Sequence, residues 1–460
     1  SPAEPGAAPS RGTRVRLHLM EDAKGFTSKW RVETAIREQS GHVPVPIEIV
    51  DKPDGQPSSV TDGVALWTRN KNEIKPEEYT DFYRSTAGQY DDPLLTIHFR
   101  AEGRQEYTTL AFVPGSQPFD LFDPDRKGRM KLYVKRVFIT DEAELVPRYL
   151  RFVRGIIDSA DLPLNISREM IQDSPLLSAI RKGVTNRILT TLEKTRDNDT
   201  ETYDKIWDLF GSVIKEGLYE DYERREQLLG LARFRTTATG DARCSLADYI
   251  SRMKEGQDAI YYIAGPNMEQ LLASPQLEGY RARGIEVLLL ADPVDSFWAP
   301  AIREYQGKAF KSVTQGVADL DKIAATEAEK QDERELSDEM RAFIELGREE
   351  LKSDVTDVRA SKRLTESAVC LVADDHGLDR QLERILQGSG RLSAGQKPVL
   401  EINPDHARVK AIAGVQDESF RKDALWLLLD EARVLDGDRP ANPKACAERL
   451  SRVFDRALAR

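Results

Sequence analysis

Cysteine is scarce in this chain. Its 460 residues hold three, Cys244, Cys370 and Cys446, and five histidines. The cysteines lie far apart, form no Cys-x-x-Cys pair and have no histidines gathered round them, which argues against a zinc site or a disulfide framework. They read as small buried residues in a reducing compartment. No apolar run approaches the roughly 20 residues that a membrane helix needs. Positive charge is in deficit: 67 Lys and Arg against 78 Asp and Glu leave a formal net charge of −11. Phosphate backbones repel such a chain, so neither a membrane nor nucleic acid is an expected partner. The chain opens at Ser1 without an initiator Met or signal-peptide pattern, which suggests part of a longer protein. Chemical motifs are missing as well. Gly388-Ser-Gly390 follows a helical segment and lacks the Gly-Lys-Ser/Thr ending of a phosphate loop, and no Ser-His-Asp set sits in a recognisable elbow.

What is present is a chain long enough for several cores. Hydrophobic residues make up 40% and charged residues 32%, a globular balance with a heavily charged surface. The opening Pro/Ala/Gly-rich stretch reads as a loop. Residues 13–19 alternate strictly and read as a strand, and a helix follows over 27–39, with Thr27 or Ser28 as its cap. A strand over 47–50, a polar loop over 51–63 and a helix over 75–85 come next, then strands over 94–99, 107–113 and 130–139. From Pro175 to about residue 238 apolar residues recur at helical spacing. The runs 259–264 and 285–290, joined by a helix over 267–283, read as a βαβ crossover. Acidic residues dominate 327–350, a solvated helix face or linker, and a domain boundary is placed near 328. Beyond it lie a strand over 368–373 and helices over 378–387, 417–435 and 442–458. The fold class expected is multidomain α+β to α/β.

Several segments then resemble one family. Residues 66–83 (LWTRNKNEIKPEEYTDFY), 119–122 (FDLF), 132–138 (LYVKRVF), 161–172 (DLPLNISREMIQ), 256–263 (GQDAIYYI), 284–290 (GIEVLLL), 361–367 (SKRLTES) and 401–406 (EINPDH) fall in the order seen in the heat shock protein 90 chaperones. A short loop stands where eukaryotic members carry a long acidic linker, and the last residues are not an acidic co-chaperone peptide. Both features resemble the bacterial HtpG branch, whose proteins are cytoplasmic. The resemblance implies domains as follows: 1–26, a remnant of the amino-terminal ATPase domain; 27–328, a middle domain (large αβ unit 27–182, helical coil 183–255, small αβα unit 256–328); 329–460, a carboxy-terminal dimerisation domain.

It also implies sites. Arg168 matches the arginine that reaches the γ-phosphate of ATP in this family, a role that suits a permanently charged, fork-shaped donor. Gln172 shares its face if the segment is helical, and Asn165 matches the motif's asparagine. Arg168 capping a helix terminus is the plain alternative. ATP with Mg would be bound by the full-length parent and not by this segment. Client contacts are expected at Trp67, at Phe119, Leu121 and Phe122, at Phe297 and Trp298, and along the stripe Leu378, Leu382, Ile385 and Leu386. For each of these, ordinary core packing is the competing reading.

A homodimer is expected from the last two helices. Leu425, Trp426, Leu428 and Leu429 wrap more than one face of the first, and Leu450, Val453, Phe454 and Leu458 make a stripe on the second. Pairing two such hairpins gives a four-helix bundle. The function implied is an ATP-dependent molecular chaperone acting on non-native clients, with other chaperones as further partners. The rivals are a passive dimeric scaffold and a hydrolase using the small βαβ unit.

Overall fold

The computed structural model describes residues 11–52, 55–103, 105–119, 121–123, 130–162, 174–315, 320, 323, 336–374, 377–392 and 395–458. The chain divides into two compact units, Ser1–Leu209 and Phe210–Arg460.

The first unit is built on a mixed five-stranded sheet. Its strands are β3 (Leu95–Ala101), β4 (Tyr107–Val113), β5 (Met130–Val134), β6 (Val137–Thr140) and β7 (Arg154–Ser159), in the order β3-β4-β7-β5-β6. β7 runs antiparallel to β4 and parallel to β5. Only glycine fits at position 155, because a Cβ there would lie 2.1 Å from the carbonyl oxygen of Leu110. A separate hairpin pairs β1 (Ile47–Ile49) with β2 (Ser58–Thr61). The helix Pro76–Ala87 begins with proline at its first turn, where no amide hydrogen is needed, and ends at Gly88 in the left-handed region. Glu78 completes its start by accepting from the amide of Lys75 at 2.9 Å.

Several expectations are corrected here. Residues 13–19 form no strand and are exposed throughout, because an alternating pattern needs a partner ladder to become one. The supposed loop over 51–63 contains β2. The single strand over 130–139 is two, β5 and β6, with Lys135 and Arg136 both at positive φ in the two-residue turn between them. β7 has no counterpart among the strands read from the sequence.

Helices Pro175–Asn198 and Thr200–Glu220 follow the sheet. The second unit first forms a sheet in the order β11-β12-β9-β10-β8, from β8 (Arg235–Thr236), β9 (Ala259–Ala264), β10 (Val287–Leu290), β11 (Glu304–Tyr305) and β12 (Lys308–Ser312). β9 and β10 are parallel, as the crossover pattern predicts. The crossover helix is not continuous. It breaks into Met268–Leu272, Pro275–Leu277 and Glu278–Ala282, because proline at 275 lacks the amide hydrogen to carry on a preceding helix.

Farther on, β13 (Asp357–Ala360), β14 (Val369–Val372) and β15 (Val399–Ile402) form a three-stranded sheet with β15 central. The helices Asp338–Glu350 and Glu418–Leu435 contribute Phe343, Ile344, Leu425, Leu428 and Leu429 to its core. The boundary expected near 328 lies outside the described residues. The multidomain α+β architecture matches the fold class read from the sequence.

Candidate functional site

In the first unit Trp67 is core. It is 1% exposed, packs with Tyr83, Phe112 and Tyr133, and donates its indole N–H to Asp158 at 2.9 Å. The other Asp158 oxygen accepts from the amide of Arg136 at 3.1 Å, so one carboxylate holds both the tryptophan and the strained β5–β6 turn. Trp67 therefore offers no surface to a client. Of the Phe119 trio, Leu121 is buried, whereas Phe119 is wholly exposed and Phe122 more than half exposed. Asn165, Arg168 and Gln172 lie outside the described residues.

In the second unit Trp298 is also core. It is held by a 2.7 Å bond from its indole to Asp295, which receives Lys215 Nζ at 2.6 Å. Phe297 is half-buried. Nearby, segments whose motifs carried the family resemblance meet in a polar joint. Arg363 is 3% exposed and pairs with Glu401 at 2.9 Å, and Ser361 donates to the same carboxylate at 2.9 Å. Asn403 Nδ2 donates to the Ser367 carbonyl at 3.0 Å. The Glu278 carboxylate accepts the amides of Thr365 and Glu366 at 2.8 Å and of Ser367 at 3.1 Å. Burial opposes charge on Glu278, but bonds from the Ser367 hydroxyl and these amides prevail and hold it below the usual carboxylate range. The motifs are recognisable in the sequence, but nothing in their spacing assigns a role to Arg363, Glu401 or Glu278.

The amphipathic helix Arg380–Gly388 is turned with its charges inward. Arg380 and Glu383 are 8% and 4% exposed, and the cap residue Asp379 is 1% exposed. At 100° per residue Arg380, Glu383, Arg384 and Gln387 share one face, and Leu382, Ile385 and Leu386 the opposite one. That apolar face is only half-buried, and Leu378 just before it is exposed. The charged face is fully partnered. Arg380 Nε and Nη2 donate to Asp436 at 3.1 and 2.6 Å, and Arg384 Nε donates to Asp438 at 3.1 Å. Arg384 also bonds Asp436, and Glu383 accepts the amide of Gln396. Asp379 accepts from Ser312 Oγ at 2.6 Å and Thr314 Oγ1 at 2.9 Å while capping the helix through the amide of Gln381 at 3.0 Å. The signal for these partners was present in the i, i+4 spacing of the two arginines.

The last two helices, Glu418–Leu435 and Pro443–Leu458, are tied by ion pairs along one side. Arg452 bonds both oxygens of Asp423, at 2.6 and 2.7 Å, and Arg456 bonds Asp417 at 2.7 Å. Leu425, Leu428 and Leu429 are corrected from interface to core, because they face the β13–β15 sheet. Trp426 is half-buried under Arg449, with its indole on Glu350 at 3.1 Å. Val453 is half-buried, whereas Leu450, Phe454 and Leu458 are exposed, with Val434 and Leu435 also open on the first helix. Among the described residues no helix is long and apolar enough to cross a membrane.

The sequence matches the family described as Hsp90 protein over residues 46–460. It is 65% identical over 453 residues to the chaperone protein HtpG of Rhizobium meliloti (strain 1021), covering 98% of this chain and 72% of that protein. The same-named protein of Paramagnetospirillum magneticum (strain AMB-1) is 47% identical over 466 residues, covering 100% of this chain and 74% of its own length. The chain belongs to the Hsp90 protein family, in its HtpG branch, whose members are ATP-dependent molecular chaperones.

Proposed function

We propose that this chain supplies the client-holding and pairing surfaces of an ATP-driven cytoplasmic chaperone. The observation that carries the reading is the inverted helix Arg380–Gly388. A surface helix with one apolar face ordinarily turns that face to the core of its domain. Here Arg380 and Glu383 are buried, while Leu382, Ile385 and Leu386 are only half-buried and Leu378 beside them is exposed. Such a surface suits a non-native polypeptide that exposes its own apolar side chains. Phe119 and Phe122 are the matching exposed pair in the first unit. Trp67, Leu121 and Trp298 are left out, since each is buried.

ATP with Mg belongs to the parent chaperone's cycle. In this reading Arg168, with Gln172 and Asn165 beside it in sequence, delivers a guanidinium to the γ-phosphate and so couples hydrolysis to closure. The exposed face of the last two helices serves a second copy of the chain. A passive scaffold would need neither Arg168 nor an outward apolar face.

The test is a holding assay. Leu382→Ser with Leu386→Ser should weaken suppression of aggregation of a chemically unfolded client. Its melting temperature should stay near that of the native chain, since neither side chain belongs to the buried core. A variant that holds the client as well as the native chain, or that melts early, would show the stripe to be ordinary packing.

A further inference from the structure

The helix Arg380–Gly388 turns Arg380 and Glu383 inward and leaves Leu382, Ile385 and Leu386 on the opposite side, only half-buried. Turning it about its axis would bury Leu382, Ile385 and Leu386 and hydrate two arginines and a glutamate, which is the ordinary outcome for such a sequence. Buried charge is tolerated only where each group is paired and hydrogen-bonded. The pairing comes from more than 50 residues away in the chain.

Its source is a helix ending. The helix Glu418–Leu435 closes with the amide of Gly437 on the Val434 carbonyl at 3.0 Å and the amide of Asp438 on the Arg433 carbonyl at 2.8 Å. Gly437 has φ of +90°. These two bonds with a left-handed glycine make the Schellman ending, which only glycine adopts without strain. The reversal brings the carboxylates on either side of Gly437 to the same two guanidiniums. Asp436 takes Arg380 and Arg384, and Asp438 takes Arg384 Nε at 3.1 Å and Arg380 Nη2 at 3.4 Å.

We propose that Asp436 and Asp438, set by the Gly437 turn, are positioning residues that hold the helix Arg380–Gly388 with its apolar face outward. The device fixes that face to the end of the helix that begins the pairing hairpin, so the two surfaces move as one body. It rests on the reading of Leu382, Ile385 and Leu386 as client surface only for its purpose, since the orientation itself can be read without a client.

The test uses the full chain carrying Leu386→Cys, with maleimide labelling followed at that peptide by mass spectrometry. Asp436→Asn with Asp438→Asn keeps the shape of the turn and removes both charges. Labelling should slow several-fold as the helix rolls its apolar face inward, and binding of an apolar dye should fall. Faster or unchanged labelling would overturn the proposal, because a merely structural contact would loosen the helix and speed the reaction. A second arm exchanges the charges. Asp438→Arg alone should slow labelling, and adding Arg384→Asp should bring back the native rate; no recovery counts against the proposal. If labelling responds as expected while Leu382→Ser with Leu386→Ser holds clients normally, the positioning role stands and only the client reading is lost.

Discussion

Two imidazoles bracket Trp67 in the first unit. His42 packs edge-on against the indole at 4.6 Å between centroids, and His98 bonds the Trp67 carbonyl at 3.0 Å and the Tyr79 hydroxyl at 2.8 Å. Burial and then Lys131 lower the pKa of His42, with Asp62 opposing; burial and Lys71 lower that of His98, with its bond to the Trp67 carbonyl opposing. Both therefore sit below the ordinary 6.5 in the folded chain. As pH falls through that value the unfolded chain takes up protons first, so stability is full above it and declines below it. Urea unfolding should show a lower midpoint at about pH 5.5 than at about pH 7.5. His42→Gln with His98→Gln should shrink that difference, and an unchanged difference would mean that other groups set it. None of this was legible in the sequence, where five scattered histidines gave no pattern. Trp67 itself was visible, but its burial depends on Asp158, 91 residues away.

Periodicity located most elements and failed where a distant partner decides. β4 is legible at its true bounds because Tyr107–Val113 combines aromatic, β-branched and apolar residues, as befits a strand buried on both faces. β7 was missed because Arg-Gly-Ile-Ile-Asp-Ser looks like a loop until β4 and β5 flank it. The stripe on Arg380–Gly388 was legible from spacing alone, since spacing defines a face but not what the face meets. The helix Thr200–Glu220 shows the same limit. Its apolar pattern was clear, yet what fastens it to the small sheet's surroundings is Lys215, 5% exposed between Asp292 at 2.7 Å and Asp295 at 2.6 Å. Asp295 also accepts the Trp298 indole. Removing the shared cation strands Asp295, whose neighbour Asp292 carries the same charge, so Lys215→Ala should cost about 3–5 kcal/mol by chemical unfolding. Glu201→Ala, which breaks only the exposed pair with Lys205, should change nothing measurable. Equal effects from the two variants would show that burial of Lys215 is not what makes its pair matter.

The hairpin of the last two helices keeps apolar surface that the chain itself leaves exposed. Its ion pairs, Asp423 with Arg452 and Asp417 with Arg456, occupy one side and are satisfied within the chain. Leu425, Leu428 and Leu429 are spent on the β13–β15 core. What is left over is Leu450 at 45%, Phe454 at 58% and Leu458 at 83% exposed on the last helix, and Val434 at 59% on the one before it. Leu450, Phe454 and Leu458 recur at steps of four, so they line one side of that helix. A two-fold axis beside this side lets each stripe cover its copy and closes the assembly at two chains, because the same patch is used on both. Family membership points to the same pairing. The expected outcome is a particle of twice 51.9 kDa in sedimentation equilibrium. Leu450→Asp with Phe454→Asp should give a monomer with an unchanged circular-dichroism spectrum, since neither side chain supports the chain's own core and a paired charge there would be buried without a partner. A native chain that stays monomeric at micromolar concentration, or a double variant that still pairs, would remove this face from the assembly.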